Sequence, residues 1–152
     1  MKIRKGFVTN SSSSSFILGF TSEENIKKEL EEENLKEYFD EVLKDVTEAI
    51  KLTKDEVLEG YAEEIYYDTL WELEDKLDAP YGKRFEIRET KEFQDSLNKA
   101  ITDRMSDLER EMQGYSVFVK INYSDNNGFM YSDLEHYVVP NMVCCLAAIS
   151  HH

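Results

Sequence analysis

The chain has 152 residues, of which 41% are hydrophobic and 12% aromatic, so it is large and apolar enough to build one domain with its own core. Its 32 acidic and 18 basic residues leave a formal net charge of −14. Residues 21–78 hold 21 acids and seven bases, so the whole excess lies there. Such a field disfavours binding to nucleic acid or to an anionic membrane and suits a basic protein partner.

The cysteines and the apolar runs indicate a cellular location. Cys144 and Cys145 are adjacent, and a disulfide between neighbours would be strained, so we expect reduced thiols in a reducing compartment. The longest uncharged apolar run, residues 142–149, is too short to cross a bilayer. The N-terminal apolar pieces are too short for a signal-peptide core. These features predict a cytoplasmic protein.

The N-terminal segment is basic and then serine-rich, with five consecutive serines at residues 11–15. A serine run is typical of a flexible linker or terminus. We therefore predict a flexible segment at residues 1–15 and a single domain at residues 16–152. The apolar residues 16–20, which open that domain, predict a short buried strand.

Helical patterns fill the middle of the chain. A capping-box pattern predicts a helix from about Ser22, with a break near residues 31–34 and apolar residues continuing to Ile50. A second capping box predicts a helix after Thr53, and Thr90 caps a third. The predicted inward-facing residues of these two helices are Val57, Tyr61, Ile65, Leu70, Leu73 and Leu77, then Phe93, Leu97, Ile101, Met105, Leu108 and Met112.

Alternating patterns predict strands at Arg84–Arg88 and at residues 115–123. Asn127 and Gly128 follow, and Asn-Gly is the strongest short hairpin signal, so a returning strand is predicted over residues 129–136. Residues 138–149 fit either a helix or a strand. The predicted fold class is α+β, with three to four amphipathic helices packed on a small, mainly antiparallel sheet with a C-terminal hairpin.

The C-terminal region gathers the groups able to bind a metal. We predict a divalent-metal site, with zinc as the first choice, formed by His136, His151, His152, Asp125 and Glu135, because imidazole and carboxylate groups are zinc ligands. Neighbours in a strand face opposite ways, so Glu135 and His136 would share a site only where the strand bulges or ends. The alternatives are a structural polar cluster, a core role for His136, its pairing with a cysteine, and a purification-tag origin for the last two histidines.

Both ends of the chain resemble a known group of proteins. RKGFVTN at residues 4–10, followed by SSSSSF at residues 11–16, resembles an N-terminal stretch of many uncharacterised microbial and phage proteins. The C-terminal region also resembles the end of some of the same proteins, in the SD and G of residues 124–128, the EH of residues 135–136 and the SHH of residues 150–152. The resemblance implies that both ends matter and that the last two histidines are native. That group has no established activity.

Two functions follow from these patterns. The leading prediction is a divalent-metal or polar binding module without turnover of its own, since the chain has no nucleophile elbow, phosphate-binding glycine loop or HExxH pair. The alternative is an acidic interaction or inhibitor protein, phage-encoded, that blocks a basic or nucleic-acid-binding surface through residues 21–78.

Overall fold

The computed structural model describes residues 3–4, 13–77 and 81–151. The strands in these ranges are β1 (Ile3–Arg4), β2 (Ser13–Phe20), β3 (Ile50–Leu52), β4 (Val117–Ser124) and β5 (Cys145–His151). The α-helices there are α1 (Ile26–Glu31), α2 (Phe39–Glu48), α3 (Lys54–Asp75), α4 (Arg84–Arg88), α5 (Lys91–Met112) and α6 (Phe129–Asp133). None of these helices combines the length and the apolar character that a membrane span requires.

The five strands form one sheet in the order β1-β5-β2-β4-β3. The central strand β2 pairs antiparallel with both β4 and β5, and β3 pairs antiparallel with β4. Only the short edge strand β1, which pairs with β5, runs parallel to its neighbour among the described strands. The predicted fold class, α+β with a mainly antiparallel sheet, is confirmed.

Helices cover both faces of the sheet, because successive residues of a strand point to opposite sides. Phe16, Leu18 and Phe20 of β2 pack on one side against α1, α2 and the C-terminal segment that follows β4. Ile17 lies on the other side, in a cluster with residues of α3 and α5. The central strand is therefore buried on both faces, which is why residues 16–20 are a continuous apolar run.

The two long helices confirm the predictions made from spacing and capping. The backbone N–H of Glu56 donates to Oγ1 of Thr53 at 3.1 Å, and the Glu56 carboxylate accepts from the Thr53 N–H at 3.1 Å, which completes the capping box of α3. Thr90 caps α5 by accepting from the N–H of Phe93 at 3.3 Å. Each cap satisfies N–H groups that have no partner inside the helix.

The first predicted helix is correct in outline and wrong at its ends. It begins at Ile26 and not near Ser22, whose hydroxyl instead accepts from the Asn25 N–H at 3.2 Å. The break falls where predicted, since α1 ends at Glu31 and Asn34 has a φ of 58°. The helical pattern that ran to Ile50 was misleading, because Ile50 belongs to β3 and is 73% exposed.

Two predicted strands are helical. Residues 84–88 form α4, because a five-residue alternation is too short to separate a strand from one helical turn. Residues 129–136 lie in α6 and in a π-helix, Leu134–Val138, and Phe129 is 93% exposed. A hairpin strand along the whole of β4 would compete with β3, which pairs with Phe118, Val119 and Lys120 on the edge that β2 does not occupy.

The serine run contributes to the sheet. Residues 13–15 form the start of β2, and Ser14 and Ser15 are buried. The predicted boundary between residues 15 and 16 therefore falls inside a strand, while residues 5–12 lie outside the described part of the chain. At the other end, the ambiguous residues 138–149 contain both predicted alternatives in part, since a 3-10 turn at Val139–Asn141 comes first and β5 begins at Cys145.

Candidate functional site

Three side chains from the C-terminal region meet at one point. One ligand atom from each of Asp125, Glu135 and His136 lies within 4.8 Å of the other two. Nε2 of His136 is 3.4 Å from Oε2 of Glu135 and 3.9 Å from Oδ2 of Asp125. Among the described residues this is the one group of three or more potential metal ligands that converges in this way.

The chain turns sharply between Asp125 and the other two side chains. Asp125 begins a 3-10 turn that directly follows β4. Gly128, at φ 118° and ψ 175°, then redirects the backbone into α6, in a conformation that side-chain-bearing residues rarely adopt. The helical segment carries Glu135 and His136 back beside Asp125, so the Asn-Gly pair does mark a reversal, although a helix and not a strand returns.

The π-helix places Glu135 and His136 in one site. Consecutive helical residues are separated by roughly a quarter turn, so both side chains can reach a point at the edge of the helix, which the alternation of a strand forbids. Leu134 is buried in the core ahead of them and anchors the segment. A π-helical turn is rare and frequently marks a functional site.

The inner wall of the site is the Glu135 carboxylate. Glu135 is only 2% exposed, and its Oε1 accepts a hydrogen bond of 2.9 Å from the Ser14 hydroxyl. That bond fixes the carboxylate so that its other oxygen lies next to the imidazole of His136. Ser14 is a site residue that the sequence analysis missed, because the serine run was interpreted as a linker. Ser14 precedes Phe16, Leu18 and Phe20 at steps of two residues, which predicts that it shares their buried face, and this spacing could have identified it.

Asp125 and His136 form the outer wall, because both side chains are partly exposed while Glu135 is buried. The site therefore has one buried carboxylate on its inner side and two partly exposed groups on its outer side. A tetrahedral zinc with bonds of 2.1 Å holds its ligand atoms about 3.4 Å apart. The imidazole–Glu135 separation matches that edge, and the imidazole–Asp125 separation of 3.9 Å is about half an ångström longer. The three ligand atoms lie within 4.8 Å of one another, so the Asp125 carboxylate would have to move closer to the other two to hold a zinc ion.

The remaining predicted ligands are at the C-terminus. The backbone of His151 pairs with Ser13, and Ser13 pairs on its other side with Ser124, the residue before Asp125. The tail thus ends at the same end of the sheet as the three convergent side chains. The side chain of His151 and the whole of His152 lie outside the described residues.

The structure also separates other candidate groups from this site. Asp133 accepts a hydrogen bond of 2.7 Å from the Tyr38 hydroxyl and is not part of the three-residue group. Cys144 and Cys145 are buried free thiols. Burial, helped by the nearby Glu33 carboxylate, raises the pKa of the Cys144 thiol far above its usual range. A protonated, buried thiol is a poor nucleophile, so Cys144 is not activated for catalysis.

Carboxylates of the acidic half hold the C-terminal segment in place. Glu33 accepts from the backbone N–H groups of Val143 and Cys144, at 2.8 and 2.9 Å. The Tyr131 hydroxyl donates to Glu41 at 2.9 Å. Acids of α2 and of the loop between α1 and α2 therefore have an internal structural role. They position the segment that carries the site against the sheet.

The chain was compared with protein-family models, with curated proteins and with solved structures, and none of the three comparisons found a match.

Proposed function

We propose that Asp125, Glu135 and His136 bind a divalent metal ion, zinc in the first place, and that the protein is a small metal-binding module of the cytoplasm. The observation that supports this most directly is the convergence of one imidazole nitrogen and two carboxylates, with the innermost carboxylate buried. Free cysteines fit a reducing compartment.

The chemistry of the donors favours zinc over magnesium or calcium. Imidazole is a common zinc ligand, whereas magnesium and calcium select oxygen donors. Two carboxylates supply two negative charges, which a divalent cation neutralises, and this compensates for keeping the Glu135 charge out of water. Three protein ligands leave a fourth coordination position.

The tail histidines are proposed as the source of the fourth ligand. The backbone of β5 brings the tail to the end of the sheet where Ser124 precedes Asp125. His151 pairs with Ser13 and not with Ser14, the residue of β2 that contacts Glu135, so the alternation of strand residues makes His152 the preferred candidate of the two. A ligand from the tail would close the coordination sphere and make the site structural, because catalytic zinc sites keep a position open for water. This is consistent with a module that binds metal without turnover.

Zinc binding is tested on the full-length chain without a purification tag. Isothermal titration with zinc and metal analysis after dialysis are expected to give one ion per chain. His136→Ala should abolish stoichiometric binding, and Ser14→Ala should weaken binding by about 10- to 100-fold because it frees the Glu135 carboxylate to rotate. Circular dichroism confirms that each variant is folded.

Asp133→Asn is the matched control, since Asp133 lies in the same segment and its carboxylate bonds to Tyr38 outside the site. It should bind zinc as the parent does. If the parent binds no zinc, or if Asp133→Asn lowers affinity as much as His136→Ala, the three side chains form an ion-paired cluster and the proposal fails. A His151→Ala/His152→Ala variant that binds as tightly as the parent would refute only the fourth-ligand assignment.

A further inference from the structure

A row of exposed side chains runs along the solvent face of α3. Glu59, Glu63, Tyr67, Trp71 and Asp75 follow one another at four-residue steps, so each lies next to the one before it, displaced by about 40° around the helix axis, and all five are exposed. We name this row the α3 stripe. The opposite side of α3 is buried in the core through Val57, Tyr61, Ile65 and Leu70.

The centre of the α3 stripe is aromatic. Tyr67 is 41% exposed and Trp71 is 47% exposed, with ring centroids 6.0 Å apart. Tyr66 packs edge-on against Tyr67 at 5.2 Å and holds its ring in place. Tryptophan and tyrosine dominate the energetics of protein interfaces, and clustered exposed rings mark binding surfaces more often than isolated ones do.

The surroundings of these rings are strongly acidic. Helix α3 contains nine acids and one lysine. Its ion pairs, to Arg84, Arg88 and Arg104, involve acids in the C-terminal part of the helix. Within the described part of the chain, Glu59 and Glu63 form no ion pair. A partner that carries phosphate is repelled by this surface, and a cationic partner is attracted.

The molecule itself shows which cation fits an aromatic ring beside a carboxylate. The guanidinium of Arg88 lies over the Phe85 ring at 4.8 Å, while its Nε bonds to the Glu74 carboxylate. A guanidinium can stack on a ring and donate to a carboxylate together, because it is planar and has several donors. An ammonium group is a compact, strongly hydrated point charge and does both less well.

We propose that the α3 stripe docks an arginine-rich segment of a partner protein. Guanidinium groups stack on Tyr67 and Trp71 and bond to the neighbouring carboxylates, chiefly Glu63 and Glu59. The stripe spans about 24 Å, which is the length of about seven residues in extended conformation. The proposal narrows the acidic docking region from residues 21–78 to one helix face and is independent of the metal site.

Trp71 is the single tryptophan of the chain, so its emission reports directly on the α3 stripe. A labelled peptide with seven arginines is titrated into the full-length chain in the presence of a chelator, and binding is followed by peptide anisotropy and Trp71 emission. We expect the emission to change as the peptide binds, and raising salt from about 50 to 500 mM to weaken binding strongly. A seven-lysine peptide should bind several-fold more weakly.

Variants separate a specific site from a general negative field. Glu59→Gln/Glu63→Gln and Tyr67→Ala should each weaken arginine-peptide binding by about tenfold, as expected for removing two ion pairs or one stacked ring. The control Glu92→Gln/Asp95→Asn removes the same charge from exposed positions of α5 and should weaken it far less. His136→Ala should leave it unchanged.

Three results would overturn the proposal. One is an unchanged Trp71 emission at saturating arginine peptide. Another is an equal loss of affinity in the α5 control, which would mean that net charge alone attracts the peptide. The last is sedimentation that shows a dimer dissociated by Trp71→Ala, which would make the stripe a contact between two copies of this chain. None of these results depends on whether zinc binds.

Discussion

Two buried tyrosines, Tyr61 and Tyr123, should respond in opposite ways when each is replaced by phenylalanine. Within the described part of the chain, the Tyr61 hydroxyl has no hydrogen-bond partner although it is buried. The Tyr123 hydroxyl donates to the Asp45 carboxylate at 2.7 Å. Replacing either residue by phenylalanine keeps the ring and removes only the hydroxyl. The change in the free energy of unfolding therefore reports on that hydroxyl alone.

Tyr61→Phe is expected to stabilise the protein by about 1–3 kcal/mol, because it removes a buried polar group that lost its water and gained no partner. Tyr123→Phe is expected to destabilise it by about 1.5 kcal/mol. That loss lies at the lower end of the range for a bond to a charged group, since Asp45 is partly exposed and water can replace the hydroxyl. Urea unfolding followed by circular dichroism measures both values.

The stability of the protein at alkaline pH provides a second test of the buried Tyr61 hydroxyl. Burial, aided by Cys145 and Glu64, raises the pKa of Tyr61 far above its ordinary value of 10.0. Above about pH 10 the unfolded chain therefore releases this proton while the folded chain keeps it, and the parent loses up to about 1.4 kcal/mol per pH unit. The advantage of Tyr61→Phe should grow with pH by that amount. If Tyr61→Phe is less stable than the parent, the hydroxyl is satisfied in the native state and the reasoning is wrong.

The remaining predictions concern backbone packing and the thiols. Gly19→Ala should lower the free energy of unfolding by about 1–3 kcal/mol, because an added Cβ would lie 2.8 Å from the Tyr115 ring. At Gly60 in α3 an added Cβ meets open space, so Gly60→Ala should raise the free energy of unfolding by about 1 kcal/mol. The two variants should therefore shift the urea midpoint in opposite directions, and a shift in the same direction would contradict the packing described for these two glycines. A thiol reagent should modify Cys144 and Cys145 only as fast as the chain opens, and labelling in the native state faster than unfolding would contradict their burial.

The parts of the fold that the sequence predicted well are those whose signals are local. The capping box at Thr53, the cap at Thr90 and the apolar spacing of α3 and α5 each specify a helix from residues within a few turns of one another. The alternation along β4 specified its buried face in the same way, since Val119, Ile121 and Tyr123 share one core cluster.

The errors occurred where neighbours from distant parts of the chain decide the local structure. The Asn-Gly pair before residue 129 favours a hairpin, yet β2 pairs along the whole of β4 and β3 takes residues 118–120 of the other edge, so a returning strand could pair with only the end of β4, and the segment is helical instead. The assignment of Ile50 to a helix failed for the same reason, because pairing with Lys120 of β4 holds it in β3.

The features of the candidate site likewise divide into those set by local sequence and those set by contacts between distant residues. Composition and spacing named Asp125, Glu135 and His136 as candidates together with His151 and His152, because the imidazoles of the chain lie in this region beside several carboxylates. The sequence by itself determined these candidate groups, the acidic half and the long helices. Only the tertiary structure decided that a π-helical turn brings two consecutive side chains into one site, and that Ser14 holds the buried carboxylate across a separation of 121 residues. Such contacts depend on the pairing of β2 with β4 and β5, and no local pattern encodes that pairing.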